Sequence, residues 1–276
     1  MDVIVPRSLE EALEARVEHP EAIPVAGGTD LWVDVNARRI RPHALLDLSR
    51  VEELKTWKRR NGTVFVGAGM TFARVARELT EFRPLVEAAS SVASPQIRSR
   101  ATIGGNLATA SPAGDSIPVL AAYDADVVVA SSREWRRRIP LDEFLVGPKK
   151  TSLAPDELIL GVEWQPLEGP GSFGKVGRRN AMVIAVASIC LQVDEKQGAV
   201  RLALGSVGPT VLRARQAEEF AKGLDWSAPA TSTEFARLAA AEARPIDDLR
   251  ATAVYRRHVV KVLARRALAK AEEGRC

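Results

Sequence analysis

Val25-Ala26-Gly27-Gly28-Thr29-Asp30-Leu31 and, further on, Ala101-Thr102-Ile103-Gly104-Gly105-Asn106-Leu107 decide how this chain is read. Each stretch is a short apolar run, a tight turn of small residues, then polar residues and a helix-like segment. Glycine admits φ > 0 and lets a ligand approach peptide groups without meeting a Cβ. Exposed N–H groups at turns and helix starts bind anions, so two such turns suggest two backbone walls around one polyanion, with a pyrophosphate as the natural candidate.

Working outward, 276 residues are long for one core and suit two domains, or one domain with subdomains. A chain that is 46% hydrophobic and 27% charged reads as a soluble globular protein. The net charge of +4 is spread over short basic clusters, at Arg38, Arg39 and Arg41, at Lys58, Arg59 and Arg60, and at Arg136, Arg137 and Arg138. Such clusters read as solvated turns and helix faces. A nucleic-acid surface would interleave them with aromatics, and the two Tyr and seven Phe carry no RNA-binding signature.

The two cysteines are Cys190, in an apolar run, and Cys276, the last residue. Cys190 reads as a buried thiol, no disulfide framework is implied, and the usage fits a reducing cytoplasm. No Cys-x-x-Cys occurs and His19, His43 and His258 are scattered, so the chain offers neither a four-cysteine cradle for its own iron–sulfur cluster nor zinc-type spacing. Met1-Asp2-Val3-Ile4-Val5-Pro6 lacks the features of a signal peptide, and no apolar run approaches the roughly 18 residues of a membrane span.

Ser8 is a helix N-cap with Glu11 as capping-box partner, and Leu9, Ala12, Leu13 and Val17 form one apolar face. Residues 22–26, 44–48 and 63–67 read as strands, the last preceded by the hairpin-type turn Asn61-Gly62. Residues 31–35 continue as helix or extended chain. Helices are expected over 72–79, with Thr71 as cap, and over 84–93; strands are expected over 126–130 and near 158–163. Glu168-Gly169-Pro170-Gly171 marks the best domain boundary. Beyond it, 183–193 and 199–207 read as paired strands turning at Gln197-Gly198. Helices follow over 214–222, 233–243 and about 247–273, the last with apolar Leu249, Ala253, Val260, Leu263 and Ala267 among basic residues. That basic face reads as solvated, or alternatively as a partner surface.

Neither glycine pair is a G-x-G-x-x-G fingerprint, and neither is a P-loop. Taken singly, each is a plain tight turn before it is a phosphate cradle. The flanking sequence of both together changes this. The second loop runs Arg100-Ala101-Thr102-Ile103-Gly104-Gly105-Asn106-Leu107-Ala108-Thr109-Ala110-Ser111-Pro112-Ala113-Gly114-Asp115-Ser116-Ile117-Pro118. With the first loop, it resembles the FAD-binding (medium) subunit of the molybdenum hydroxylases, the family of carbon monoxide dehydrogenase and xanthine dehydrogenase. Leu46-Asp47-Leu48-Ser49 with Glu53-Leu54, Val66-Gly67-Ala68-Gly69-Met70-Thr71, Glu157-Leu158-Ile159-Leu160, and Phe173-Gly174-Lys175 with Arg178-Arg179 extend the resemblance, in order, over essentially the whole chain.

The resemblance implies an α+β fold: an FAD-binding module of the vanillyl-alcohol-oxidase (PCMH) type, with two α/β subdomains at about 1–55 and 56–170, and a C-terminal α+β domain at 171–276. It implies that Pro24, Val25, Ala26, Gly27, Gly28, Thr29, Asp30 and Leu31 line the FAD diphosphate from one side. Ala101, Thr102, Ile103, Gly104, Gly105 and Asn106 line it from the other, through backbone N–H groups and the Thr102 and Asn106 side chains. Thr109 and Ser111 belong to the same set. Asp115 accepts from ribityl or adenosine hydroxyls, Val92 and Ile159 are apolar contacts, and Lys175 is a cation near the flavin ring. One departure is Asn180-Ala181-Met182, where family members often carry Asp. The flavin does the redox chemistry, so no catalytic side-chain set and no metal site are expected on this chain. The implied partners are a large molybdopterin subunit and a small subunit with [2Fe–2S] clusters, as a dimer of heterotrimers, with NAD or another electron acceptor. A free-standing FAD oxidoreductase on the same fold is the alternative.

Overall fold

A computed structural model describes residues 1–274; Cys276, read above only as the last residue, lies outside them. In chain order the elements are β1 (Asp2–Ile4), α1 (Leu9–Glu18), β2 (Ile23–Val25), α2 (Leu31–Asn36), β3 (Ala44–Asp47), β4 (Trp57–Arg60), β5 (Thr63–Gly67), α3 (Phe72–Glu78), α4 (Arg83–Ser91), α5 (Pro95–Arg98), α6 (Ile103–Thr109) and α7 (Ser116–Ala122). The chain continues through β6 (Asp126–Ala130), β7 (Arg137–Pro140), α8 (Leu141–Phe144), β8 (Leu145–Gly147), β9 (Lys150–Thr151), β10 (Leu158–Trp164) and β11 (Gly171–Val176). It ends with β12 (Ala187–Asp194), β13 (Ala199–Gly205), β14 (Leu212–Arg213), α9 (Arg215–Ala221), α10 (Pro229–Glu242) and α11 (Ala253–Glu273).

Two compact units emerge, and both are discontinuous in sequence. Residues 1–74, 95–110 and 125–165 form the first; 75–94, 111–124 and the described residues from 166 onward form the second. The Gly/Pro run at 168–171 predicts a contiguous division at 170. The difference comes from α4 and α7, which bury themselves on the sheet of the second unit. A Cβ on Gly171 would meet Pro84 of α4 at 2.7 Å, and one on Gly205 would meet Pro118 of α7 at the same distance. The Phe173 N–H also donates to the Glu87 carboxylate of α4 at 2.8 Å. Every residue of α7 is buried, so it reads as apolar all round rather than on one stripe.

In the first unit, β1 and β2 both pair in parallel with β3, with Val3 and Ile23 flanking Leu45. Helix α1 begins as its sequence dictates: Ser8 Oγ accepts the Glu11 N–H at 3.1 Å, while the Glu11 carboxylate reaches back to the Arg7 N–H at 2.7 Å. Val17, expected on the apolar face, is instead 42% exposed. Arg16 takes the inner position and donates to the Ala22 carbonyl at 2.8 Å, tying the helix end to the start of β2. The second sheet of this unit is antiparallel, in the order β4-β5-β10-β6-β7. Its first hairpin turns on Asn61 (φ 51°) and Gly62 (φ 77°), the left-handed pair that a two-residue hairpin requires. Strand β10 is buried along its whole length. Ala44 and Leu46 of the parallel sheet share one apolar core with Val128, Leu158 and Leu160 of the antiparallel sheet, so the two expected subdomains bury their surfaces together.

In the second unit, β11-β12-β13-β14 form an antiparallel sheet. The β12–β13 turn closes at Gly198 (φ 57°), as the Gln197-Gly198 pair predicts. Helices α9, α10 and α11 contribute Ala217, Phe235, Ala239, Val260, Ala264 and Leu268 to a core with Ile189, Leu191 and Leu202 of the sheet. Cys190 is fully buried on β12, and burial pushes its thiol far above the ordinary range, which makes it inert. Two sequence expectations need correction here. The strand expected over 183–193 starts only at Ala187, because Met182 (φ 50°) turns the chain and Val183 packs on Gly177. The last helix starts at Ala253, capped by Thr252, whose hydroxyl accepts the Tyr255 N–H at 3.2 Å. Leu249, assigned above to its apolar face, lies before it and is 97% exposed.

Candidate functional site

The two glycine pairs meet in the first unit. The first loop leaves β2, where Pro24 and Val25 pair with Leu46 and Asp47, and enters α2. The second loop leads into α6. A Cβ on Gly27 would lie 2.1 Å from the Arg100 carbonyl oxygen and 3.1 Å from the Ala101 Cα. Glycine at this position is what allows the two loops to touch. A side-chain bond fastens them further on, where the Thr109 hydroxyl donates to Asp30 Oδ2 at 3.1 Å. Gly104 also serves packing, since a Cβ there would lie 2.6 Å from the Ala68 Cβ. The outer glycine of each pair differs. Gly28 has φ +72°, and Gly105 is exposed, with only the Thr102 hydroxyl, at 3.1 Å, near the place of its missing Cβ.

The loops divide the available donors unequally. At the start of α6 every N–H is already engaged. Ile103 donates to the Met70 carbonyl at 3.0 Å, Gly104 to Ala68 at 2.8 Å, Gly105 to the Thr102 hydroxyl at 3.0 Å, and Asn106 to the Thr102 carbonyl at 3.0 Å. Of the N–H groups expected to face a ligand over residues 102–106, those of Ile103 and Gly104 are thus taken by the turn after β5, and those of Gly105 and Asn106 by Thr102. Ala101, Thr102, Ile103 and Gly104 are also buried, which leaves Gly105 and Asn106 as the accessible part of this wall. In the first loop, by contrast, the N–H groups of Gly28, Thr29, Asp30 and Leu31 donate to no acceptor among the described residues. Four successive unengaged donors on a glycine turn form the kind of concavity that receives a phosphate.

The second unit holds a different constellation. Lys175 on β11 donates to Asp115 Oδ2 at 2.7 Å, to the Ser91 carbonyl at 2.8 Å and to the Val183 carbonyl at 3.3 Å. All three ammonium protons are therefore engaged. Asp115 is 8% exposed, and its other oxygen, Oδ1, is buried with no hydrogen-bond partner among the described residues. Burial pushes this carboxyl above its ordinary value, and the adjacent Lys175 charge pulls it part of the way back. An unsatisfied buried carboxylate oxygen is costly unless a donor reaches it, and a ligand hydroxyl is such a donor. The Ser111 hydroxyl accepts the Ala113 N–H at 3.2 Å. Val92, just past α4, is partly buried; Ile159 is buried on β10 of the first unit.

The sequence pairs neither Asp115 with Lys175, 60 residues apart, nor Gly27 with Arg100, because no periodicity carries such contacts. Each unit, taken by itself, offers a feature that fits part of a dinucleotide-type cofactor: in the first a donor-rich glycine loop for a diphosphate, in the second an orphaned carboxylate oxygen for a sugar or ribityl hydroxyl. Lys175, expected as a cation near the flavin ring, is the group that holds Asp115. No cluster of three or more metal-ligating side chains occurs among the described residues, and no helix among them is long and apolar enough to cross a membrane.

Residues 1–164 match the family model for the FAD binding domain in molybdopterin dehydrogenase, and residues 172–271 match that for the CO dehydrogenase flavoprotein C-terminal domain. The chain is 34% identical over 280 residues to the 6-hydroxypseudooxynicotine dehydrogenase complex subunit alpha of Paenarthrobacter nicotinovorans, covering 98% of this chain and 94% of that one. It is 32% identical over 237 residues to the nicotinate dehydrogenase FAD-subunit of Eubacterium barkeri, covering 80% of this chain and 79% of the relative. Among solved structures, quinoline 2-oxidoreductase from Pseudomonas putida 86 matches with a TM-score of 0.91 at 28% identity, over 99% of this chain and 97% of its own.

Proposed function

We infer what this chain does from the family to which it belongs, the FAD-binding proteins of the molybdopterin dehydrogenases. It is the flavoprotein subunit of an oxidoreductase of the molybdenum-hydroxylase type, and its cofactor is FAD. We propose that its task is to relay electrons from [2Fe–2S] clusters on a small partner subunit to an external acceptor such as NAD, a quinone or a cytochrome. A large partner subunit would carry the molybdopterin and the organic substrate, in a cytoplasmic dimer of heterotrimers. The match of one family model to residues 1–164 and another to 172–271 supports the functional division near residue 170.

Bound FAD supplies a redox-active ring that exchanges electrons singly or in pairs. The protein supplies placement. In the first unit, the N–H groups of Gly28 to Leu31 bind the diphosphate, with Pro24 to Gly27 behind them. Gly105 and Asn106 form the opposing wall, built on Ala101 to Gly104, and Thr109 fixes Asp30. Ile159 adds an apolar contact. In the second unit, Asp115 Oδ1 accepts a ligand hydroxyl, Lys175 keeps that carboxylate charged and oriented, and Ser111 and Val92 border it.

The observation that carries this reading is the fitting of Gly27 against the Arg100 carbonyl, which sets the unengaged donors of residues 28–31 beside a second glycine wall. The test is to co-purify the chain with its partners and record the visible spectrum and metal content. Flavin together with iron and molybdenum supports the reading, and flavin bleaching by NADH identifies NAD as acceptor. Turnover of a small-molecule donor by the isolated chain favours the free-standing oxidoreductase instead.

A further inference from the structure

Trp32 occupies the second position of α2, and its backbone N–H donates to the Gly28 carbonyl at 3.0 Å. Side chains on a helix lean toward its N-terminus and cover the turn before their own Cα. The indole of Trp32 does this over Gly28: a Cβ built on Gly28 would meet Trp32 Cδ1 and Nε1, each at 2.7 Å. Gly28 is thus required both for its left-handed φ and for room to seat the indole. The ring edge laid on the loop is the one that carries the N–H.

That N–H has no acceptor among the described residues, and Trp32 is 42% exposed. An indole nitrogen is a donor only: in a buried ring it ordinarily finds a partner in the protein, and in an exposed ring it is open to an acceptor from outside. Trp226 shows the usual arrangement, donating to the Ala221 carbonyl at 2.8 Å. Trp32 Nε1 lies instead over Gly28, the first of the four residues whose backbone donors are unengaged, where a fifth donor extends an anion cradle.

We propose that Trp32 is a cofactor-binding residue whose indole N–H hydrogen-bonds a phosphate oxygen of the FAD diphosphate. The inference rests on the reading that this loop holds the diphosphate. It makes Trp32 a determinant of affinity for diphosphate-bearing ligands and leaves binding of the flavin ring to other residues.

The test uses the purified complex, stripped of flavin and titrated with FAD, in wild-type, Trp32→Phe and Trp32→Leu forms. Trp32→Phe keeps a flat ring and removes the donor. It is expected to weaken FAD about tenfold, the loss that accompanies one hydrogen bond to a charged acceptor. Trp32→Leu is expected to do the same, with thermal midpoints close to wild type. ADP, which carries the diphosphate without the flavin, should lose competing power in the same ratio, while riboflavin should not. Unchanged FAD affinity in Trp32→Phe overturns the proposal, as does a loss confined to Trp32→Leu, which would assign the effect to ring packing. A wild-type complex that takes up no flavin at all overturns the underlying reading together with this one; a wild type that binds flavin beside an unaffected Trp32→Phe overturns this one alone.

Discussion

The carbonyl oxygen of Arg100 faces the Cα of Gly27 so closely that a methyl group there would lie 2.1 Å from it. Backbone on both sides leaves no flexible atom to yield. Gly27→Ala should therefore separate the loops and lower stability by about 1–3 kcal/mol, the range for forced overpacking. Gly105→Val should behave differently, since only the Thr102 hydroxyl borders its Cβ. Melting curves and flavin absorbance on the complex separate the two: Gly27→Ala loses stability and flavin, whereas Gly105→Val loses flavin with much less change in melting.

Asp30 and Thr109 fasten the same loops through one exposed hydrogen bond of 3.1 Å. Thr109→Val removes it without changing side-chain shape. A small fall in melting temperature and a several-fold faster release of FAD are expected, because an exposed hydrogen bond contributes little to stability while the loop it orders is the one proposed to hold the diphosphate. Dilution of the loaded complex, followed by flavin fluorescence, measures the release rate.

Lys175 and Asp115 are about nine-tenths buried. Lys175→Met leaves the carboxylate without its counter-charge, and removal of one partner of a buried pair costs about 3–5 kcal/mol. Adding Asp115→Asn should recover part of that loss. The sign of the pH dependence follows from burial, which already holds Asp115 above its ordinary value. Without Lys175 that value rises further, and a raised carboxyl favours the folded state at low pH and loses that contribution as pH rises through it. The deficit of Lys175→Met in urea unfolding should therefore be larger at neutral pH than in mild acid.

Glu157 gives the opposite pH behaviour. Burial pushes its carboxyl up, but the two-pronged bond from Arg137 and the Ala154 N–H, at 2.7 Å, more than reverse this and hold it below its ordinary value. A lowered carboxylate contributes stability above its unfolded pKa and loses it as pH falls through the folded one. The wild-type chain should lose urea resistance from about pH 5 downward, where unperturbed carboxylates begin to protonate. Glu157→Gln should be less stable at neutral pH and show a flatter acid limb.

Local chemistry was legible in the sequence wherever a few adjacent residues determine the outcome. Ser8 and Glu11 start α1, Asn61-Gly62 turns the first hairpin, and the glycine pairs locate the loops. The alternation of β13 and the apolar run of β12 likewise mark the second sheet. What remained hidden depends on contacts between distant residues. Nothing in residues 83–91 or 116–122 says that they belong with a sheet beginning at residue 171, since an apolar helix does not name its partner surface. The basic texture of α11 conceals Arg256, which turns inward, 3% exposed, to donate to the Val186 and Ser206 carbonyls at 2.6 and 2.9 Å. The two glycines of each pair look alike in sequence, yet Gly27 and Gly104 make room for backbone and Ala68, Gly28 seats the Trp32 indole at a left-handed φ, and Gly105 is exposed.

Flavin content of the co-purified complex tests the central claim most directly, measured beside iron and molybdenum in wild-type and Gly28→Val forms. A branched side chain at Gly28 opposes φ +72° and displaces the Trp32 indole from the loop. The account predicts stoichiometric flavin in the wild type, and a marked loss in Gly28→Val with both metals retained. A folded wild-type complex without flavin, or a Gly28→Val complex as yellow as the wild type, would contradict it.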